Sequence, residues 1–161
     1  MNIFVLDGDP SRCARFHCDS HVVKMILEGA QMLCTSSDSH GTPVPYKPTH
    51  RNHPCTLWAG ESLSNWKWLR MLTLALGREY LYRYPGKPPH ASAVVAESLR
   101  PPRIPDLGLT PFAQAMPEEY RIPGDAVTAY RRYYIAEKRS IAVWTRRKPP
   151  RWFTEGVSRN G

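Results

Sequence analysis

The sequence predicts a mainly α-helical protein that folds as one compact bundle, with at most a short N-terminal strand. Two long runs, from His21 to Thr35 and from Thr56 to Tyr82, carry apolar residues at the three- and four-residue spacing typical of helices. A chain of 161 residues is long enough for one core and too short for two. Sixteen prolines indicate extended connections between the helices. We therefore expect residues 1–161 to form a single helical domain.

The first third of the chain predicts two helices and a long loop. Residues 3–6 favour a short strand or an extended arm. Asp9-Pro10 has the form of an N-cap and a first helical residue, so we expect a helix from there to Phe16. Asp19 is the expected cap of the next helix, over 21–35. Residues 36–54 are rich in Ser, Gly, Pro and His. They form a loop too long for a simple connection, which makes it a candidate functional loop.

The rest of the chain predicts three further helical regions. The run 56–82 is helical by periodicity, and its expected core residues are Leu57, Leu63, Trp66, Leu69, Leu72, Leu76 and Leu81. A short helix is expected over 91–99. Gly124-Asp125 then begins a long basic helix over 125–148, in which Arg132, Arg139 and Arg146 recur every seven residues. Pro149-Pro150 is expected to end that helix, and Trp152 and Phe153 to pack back onto the core.

Positive charge is concentrated near the C-terminus. The net charge is +8, and residues 131–151 contain eight Lys or Arg against one Glu. Such clustering indicates a polyanionic partner, with nucleic acid favoured over a membrane surface. The residues expected to contact a DNA backbone are Arg131, Arg132, Arg139, Arg146 and Arg147. The alternative is an ordinary solvated basic helix.

The sequence also limits the compartment and the cofactors. It has no basic leader and no apolar run near the roughly 20 residues that span a membrane, so we expect a cytoplasmic protein without a membrane partner. Its four cysteines are then expected to be reduced thiols. No GxGxxG follows a strand, and P-loop, GxSxG and HExxH motifs are absent. Dinucleotide, nucleoside triphosphate and zincin chemistry therefore lack support, and we expect no cofactor.

One polar stripe stands out on the helix over 21–35. His21, Lys24, Glu28 and Gln31 fall within about 80° of its circumference. The remaining residues are mostly apolar, so the stripe is expected to face a cleft or a satisfied internal network. A base, a cation and a carboxylate on one rigid face suit acid–base catalysis, so the catalytic candidates are Glu28, His21 and Lys24, with Gln31 beside the substrate. The alternative is a partly exposed face with a Lys24–Glu28 ion pair.

Two further segments are candidates for substrate binding. The loop segment YKPTHRNHPCTLW combines hydrogen-bonding and aromatic side chains that suit a phosphate and a stacked base, and its candidates are Tyr46, Lys47, His50, Asn52 and His53. The alternative is an ordinary polar loop. In PFAQAMPEEY, the Gln114 carboxamide would either read the edge of a pyrimidine or cap a backbone.

Two clusters contain residue types that suit zinc. They are Cys13, His17, Cys18 and His21 in the first, and His50, His53 and Cys55 in the second. Neither has the spacing of a finger or a ribbon, so we expect buried thiols and satisfied histidines and no metal.

Five segments, MNIFVLD, HCDSHVVKMILEGAQML, YKPTHRNHPCTLWAGESLSN, PFAQAMPEEYR and AYRRYYIAEK, resemble a family of small phage-encoded proteins. More distantly, the chain resembles the phage pyrimidine-dimer DNA glycosylases of the endonuclease V family. Asp19, His21 and Glu28 match the helix that carries that family's catalytic glutamate, and the C-terminal match is Pro150, Trp152 and Phe153. The resemblance implies an endonuclease V-like helical fold, double-stranded DNA as partner, and the host-cell cytoplasm as location.

The chain departs from that family at two positions. The family acts through the free amine of a small residue exposed by methionine removal, whereas residue two here is Asn2. Leu27 stands where the family has an arginine, and Lys24 is the alternative amine. The leading hypothesis is a DNA glycosylase-like enzyme acting on an extruded pyrimidine. The alternatives are a transferase that joins an amino acid or amine to an activated hydroxymethyl-derived pyrimidine in phage DNA, and a non-catalytic nucleic-acid-binding protein.

Overall fold

A computed structural model describes residues 1–159. Its α-helices are α1 (Pro10–Phe16), α2 (Asp19–Asp38), α3 (Pro54–Glu61), α4 (Leu63–Arg83), α5 (Ala91–Ser98), α6 (Ala126–Glu137) and α7 (Arg151–Arg159). Short 3-10 turns occupy Glu118–Tyr120 and Arg139–Ile141. The described residues contain no β-strand, and the helices share one hydrophobic core. The prediction of a mainly α-helical bundle is confirmed.

The centre of the bundle is the antiparallel pair α2 and α4. Trp66, near the start of α4, donates from its indole to the Leu33 carbonyl at 3.3 Å, late in α2. The end of α4 meets the start of α2, where Arg83 lies 2.9 Å from Asp19. Between these points Gly29 lies directly against Thr73, and a Cβ at Gly29 would overlap the Thr73 hydroxyl. The two helix axes therefore approach closely at the middle of α2.

The N-terminal residues form an extended arm that packs between α2 and α6. Ile3 to Leu6 are all buried. Phe4 stacks on His21 of α2 with 4.4 Å between ring centroids, and its ring meets Tyr134 of α6 edge-on at 5.5 Å. Of the two predicted forms, strand or arm, the structure has the arm.

The start of α2 differs from the prediction. Cys18 occupies the N-cap, and Asp19 is the first helical residue. The Asp19 carboxylate is instead bonded to Arg83 and to Thr145, which donates from its hydroxyl at 2.7 Å. The prediction of Asp19 as cap is wrong because these distant partners occupy its oxygens. The helix also continues to Asp38, so the loop before α3 covers residues 39–53 rather than 36–54.

The predicted long helix over 56–82 is interrupted at Ser62. This residue is extended, with φ −147°, and its hydroxyl accepts the N–H of Ser64 at 3.3 Å to cap α4. Two predicted core residues are wrong: Leu57 is 57% exposed and Leu81 is 39% exposed. Leu63 is half-buried, and the confirmed core residues are Trp66, Leu69, Leu72 and Leu76.

The prediction of one basic helix over 125–148 is also wrong. Asp125 caps α6 as expected, but the helix ends at Glu137. The chain then folds along the start of α2, where the Val143 carbonyl accepts the Asp19 N–H at 2.8 Å. Arg132, Arg139 and Arg146 therefore do not share a helical stripe. Pro149-Pro150 precedes α7 instead of ending α6, and Phe153 packs into the core as predicted.

The described part of the chain has no helix of the length and hydropathy needed to span a membrane. The four cysteines, Cys13, Cys18, Cys34 and Cys55, are all buried free thiols.

Candidate functional site

Glu28 lies on the face of α2 that the N-terminal arm covers, and it is 7% exposed. Its Oε2 accepts the backbone N–H of Asn2 at 2.8 Å and lies 3.7 Å from the amino group of Met1. Its Oε1 lies 3.6 Å from the Lys24 ammonium, one turn earlier on α2. A buried carboxylate is therefore flanked by two primary amines, each just beyond hydrogen-bonding distance.

The position of the arm at Glu28 is fixed by the side chain of Asn2. Its amide donates to the Ala115 carbonyl at 2.9 Å, and its Oδ1 lies 2.8 Å from the Tyr130 hydroxyl. The Cys55 thiol is 3.7 Å from the same Oδ1. The side chain of Met1 is also buried, with its sulfur 3.8 Å from the Thr56 hydroxyl. The Met1 amine is thus held in place by contacts from α3, α6 and the segment before it.

His53 is a predicted loop residue that lies within electrostatic reach of this group. It caps α3, and its Nδ1 accepts the N–H of Cys55 at 3.2 Å, so the neutral ring carries its proton on Nε2. Burial lowers the pKa of His53, and the charges of the N-terminus and His50 lower it further, while Glu28 opposes them. His53 is therefore neutral at pH 7 and within electrostatic reach of Glu28.

His21 shares the helix face of Glu28 but does not contact it. Two helical turns, about 10 Å, separate the two residues along α2. The His21 Nδ1 lies 2.7 Å from the Tyr134 hydroxyl, and the ring is stacked on Phe4. Desolvation lowers the pKa of His21 to about 3, with contributions from His17, Lys138 and Lys24. The imidazole is therefore a fixed neutral group rather than a titrating acid at pH 7.

The loop before α3 follows the same face of α2. Thr49 and Thr35 are joined by two hydrogen bonds of 3.0 Å, one turn beyond the half-buried Gln31. The exposed loop candidates are Lys47, His50 and Asn52, and His50 has a left-handed backbone with φ 51°. Tyr46 is turned elsewhere, because its hydroxyl bonds Ser92 of α5 at 2.9 Å. The structure thus brings Thr49 to His53, but not the Tyr46 side chain, toward the Glu28 face.

Gln114 has no free edge for a base. Its amide nitrogen donates to the Ile122 carbonyl at 2.6 Å, and its oxygen accepts the Ile122 N–H at 2.8 Å. Of the two predicted roles, these contacts are those of a backbone cap.

The five predicted backbone-binding arginines occupy separate places. Arg131 points inward, donates to the Leu6 carbonyl at 2.9 Å and lies over the Trp152 ring at 5.3 Å. Arg146 and Arg147 pack on Tyr82, with guanidinium carbons 4.9 and 4.0 Å from its ring centroid. Arg132 and Arg139 are exposed. They are the two that stay available on the side of α6.

Lys138 is a cation that the sequence patterns did not single out. It follows α6, and its ammonium lies 4.9 Å from the centre of the Tyr133 ring. It is also one of the charges that lower the pKa of His21, so it lies on the arm side of the molecule together with Lys24. Tyr133, itself stacked on Phe4 at 6.3 Å, connects this lysine to the arm.

The two cysteine and histidine clusters are the candidate metal ligands of the sequence. Among residues 1–159, no group of three or more His, Cys, Asp or Glu side chains is placed to hold an ion. His17 is fully buried, its Nε2 has no hydrogen-bond partner within the described residues, and burial lowers its pKa to about 4. Both histidines of the first cluster are neutral core residues.

Access to Glu28 is narrow. Glu28 is only 7% exposed, and it does not line any of five clefts of about 290 to 370 Å³ that lie elsewhere on the described surface. The arm fills the space over the carboxylate, whereas Lys24 beside it is 66% exposed at its side chain. A substrate atom would therefore approach along Lys24, at the edge of the arm.

Comparisons with protein-family models, curated proteins and solved structures found no match. The site itself offers a carboxylate that is able to stabilise positive charge or accept a proton, and two amines able to act as nucleophiles once unprotonated.

Proposed function

We propose that this protein is a DNA-processing enzyme that acts on a pyrimidine nucleotide turned out of the duplex. The reaction is glycosylase-like, breaking the bond between base and sugar. The observation that supports it is the buried Glu28 carboxylate with two primary amines at 3.6 and 3.7 Å. This combination supplies both a nucleophile and a charge that stabilises a cationic sugar in the transition state.

In the proposed reaction, an unprotonated amine attacks C1′ of the extruded nucleotide. The bond between C1′ and the base breaks, its electron pair leaves with the base, and the base takes up a proton. The attacking nitrogen loses a proton to Glu28. The C1′–O4′ bond then opens: its electron pair goes to O4′, which takes up the proton from Glu28, and the nitrogen lone pair forms a protonated imine with C1′. Glu28 stabilises the positive charge at C1′ while the base departs.

Basic and polar side chains at the surface of the molecule support binding to the DNA backbone. Lys24 and Lys138 lie on the arm side, and Arg132 and Arg139 are exposed along and after α6. Lys47, His50 and Asn52 are exposed on the loop that follows α2. Each phosphate contact made by such a cation makes DNA affinity more sensitive to salt.

Of the alternatives, the transferase is less well supported. A transferase needs room for a free amine substrate beside the base, whereas here the two amines nearest Glu28 belong to the protein. A protein-borne amine favours attack by the enzyme itself.

The test is a single-turnover assay on duplexes that carry a thymine dimer, a uracil or a 5-hydroxymethyluracil. We expect the natural chain to produce an abasic site or a strand break in at least one duplex. Glu28→Gln should lower that rate by about 10² to 10³-fold. Glu97→Gln, at an exposed position on α5, is the matched control and should retain the rate.

Borohydride reduction distinguishes the nucleophiles, because it converts an imine into a stable protein–DNA crosslink. Peptide mass mapping then places the crosslink on Lys24 or on the residue that carries the free amino terminus. A base of increased mass would instead indicate the transferase. DNA binding without any product, unaffected by Glu28→Gln, would leave only the non-catalytic binder.

A further inference from the structure

A second cationic feature lies far from Glu28, in a cleft of about 300 Å³ between α1 and α4. Its walls are Ser11 and Arg15 of α1, Arg78, Glu79 and Tyr82 of α4, and Arg147. We propose that this cleft binds a phosphate group. Guanidinium groups recognise phosphate oxygens through paired N–H donors, and three of them line this one space.

Two of the three guanidinium groups have donors to spare. Arg15 and Arg78 are exposed, and the guanidinium group of neither makes a hydrogen bond or an ion pair within the described residues, although the Arg15 carbonyl accepts from Arg83 at 3.1 Å. The Ser11 hydroxyl at the same wall is exposed as well. An incoming phosphate would thus meet unsatisfied donors from both helices.

The carboxylate in the cleft does not repel an anion, because its charge is already neutralised. Glu79 Oε1 accepts from Arg83 Nε at 2.8 Å and from Arg147 Nε at 2.9 Å. Its Oε2 accepts from Arg147 Nη2 at 2.9 Å. Arg83 also pairs with Asp19 at 2.9 Å, so this network of two guanidinium groups and two carboxylates is neutral, and the excess positive charge of the cleft is that of Arg15 and Arg78.

The wall formed by Arg147 is rigid before any ligand binds. Its guanidinium is held by two bonds to Glu79 and lies 4.0 Å from the centre of the Tyr82 ring. The preceding residue, Arg146, donates to the Tyr82 carbonyl at 2.9 Å and has a left-handed backbone with φ 59°. A fixed wall reduces the entropy lost on binding.

The cleft opens away from the Glu28 site. Thr73 marks the side of α4 that faces α2. Ala75, Arg78 and Tyr82 lie about 140–200° around the helix from Thr73. The phosphate in this cleft is therefore not that of the extruded nucleotide, and the inference does not depend on the proposed function.

The test is titration of the full chain with inorganic phosphate, thymidine 5′-monophosphate and a 12-base-pair duplex at constant ionic strength, followed by NMR and calorimetry. The double variant Arg15→Gln, Arg78→Gln removes the free donors. The control Arg100→Gln, Arg103→Gln removes the same charge at two exposed arginines after α5. Thermal midpoints verify that both variants fold.

We expect saturable binding of at least one probe, weakened at least about tenfold by the cleft variant and less than about twofold by the control. If the duplex loses affinity in this way, the phosphate is that of a nucleic-acid backbone. If only phosphate or the nucleotide does, it belongs to a small phosphorylated molecule. Absence of saturable binding, or an equal loss in the control, overturns the proposal.

Discussion

Each of the two long helices buries one glutamate, and the two carboxylates have different surroundings. Glu79 of α4 is 4% exposed, and Glu28 of α2 is 7% exposed. Glu79 accepts three hydrogen bonds of 2.8 to 2.9 Å from two guanidinium groups. Glu28 accepts one hydrogen bond, at 2.8 Å from Asn2, and faces two amines at 3.6 and 3.7 Å.

This difference separates a structural carboxylate from one suited to chemistry. Burial alone raises the pKa of Glu79, but the hydrogen bonds from Arg147 and Arg83 outweigh it and hold the pKa below its ordinary value. Its oxygens are occupied by planar guanidinium groups that are themselves fixed. A carboxylate has about four acceptor positions, and most of those on Glu28 have no short partner. Glu28 therefore keeps acceptor positions that a further hydrogen-bond donor can use.

The largest expected effect is the loss of stability caused by replacing Glu79. Glu79→Gln should lower the free energy of unfolding by about 3 kcal/mol, because it leaves the buried Arg83 and the half-buried Arg147 with an uncompensated charge. Asp19 continues to pair with Arg83, which keeps the loss from being larger. Urea denaturation measures it. Glu97→Gln is the control, and a loss below about 1 kcal/mol would show that Glu79 is not structural.

The second-largest expected effect is a loss of stability at low pH, on the arm side of the molecule. Above their ordinary pKa of 6.5, His17 and His21 are neutral in both the folded and the unfolded chain. Below pH 6.5, both histidines become protonated in the unfolded chain. In the folded chain they stay neutral until the pH reaches about 4 at His17 and about 3 at His21. Stability should therefore fall as the pH drops below 6.5, by at most about 2.7 kcal/mol per pH unit from these two groups.

The measurement is urea denaturation at pH 7.0, 6.0 and 5.5, with hydrogen exchange to locate the loosening. We expect residues 1–6 to lose protection first, since Phe4 is stacked on His21. His17→Gln should lower the pH slope, because the folded chain then holds only one of the two buried histidines. A profile that is flat across this range would contradict the assignment of both histidines as neutral core residues.

A smaller loss of stability is expected at the contact between α2 and α4, the two helices that carry the glutamates. Gly29→Ala should destabilise the fold by about 1 to 3 kcal/mol, because the new methyl group overlaps Thr73 and forces α2 and α4 apart. Gly8→Ala is the matched control, since a Cβ there meets no atom within 4 Å. Thermal unfolding compares them, and equal midpoints would mean that the helix contact adapts without cost.

The smallest expected effect is the change in stability caused by replacing Glu28. Glu28→Gln should change the free energy of unfolding by less than about 1 kcal/mol, because the amide oxygen still accepts the Asn2 N–H and the amines are not in short contact. Its effect should instead appear in the DNA assay. A loss of stability as large as that of Glu79→Gln would remove the distinction between the two glutamates.

The sequence predicted the elements whose signals are local. Asp9-Pro10 and Asp125 cap α1 and α6 as expected, and the apolar spacing identified most of α2 and α4. The errors come from distant contacts. Ser62 interrupts a helical pattern because its hydroxyl donates to the carbonyl of Gly108, 46 residues away, at 2.7 Å. Likewise, the chain after α6 leaves the helix to meet Asp19, 126 residues from Thr145.

The same limit applies to the candidate site. Lys24 and Glu28 are four residues apart on one helix, so their proximity follows from the sequence. Asn2 and Tyr130 are 128 residues apart, and no spacing pattern connects them to Glu28. The prediction of a polar stripe on α2 also placed His21 beside Glu28, although two turns of helix keep the two side chains apart. Burial of His21 under Phe4 is visible only once the arm is in place.

The contacts of the arm set the order in which parts of this protein can pack during its synthesis. Tyr130 and Arg131 hold the arm across separations of 128 and 125 residues, so the arm cannot complete its packing before α6 has been translated. Until α6 leaves the ribosome, the apolar segment from Ile3 to Leu6 has no complete binding surface and is exposed to chaperones. Chains that terminate before α6 would carry the Glu28 helix without the contacts that hold the arm over it.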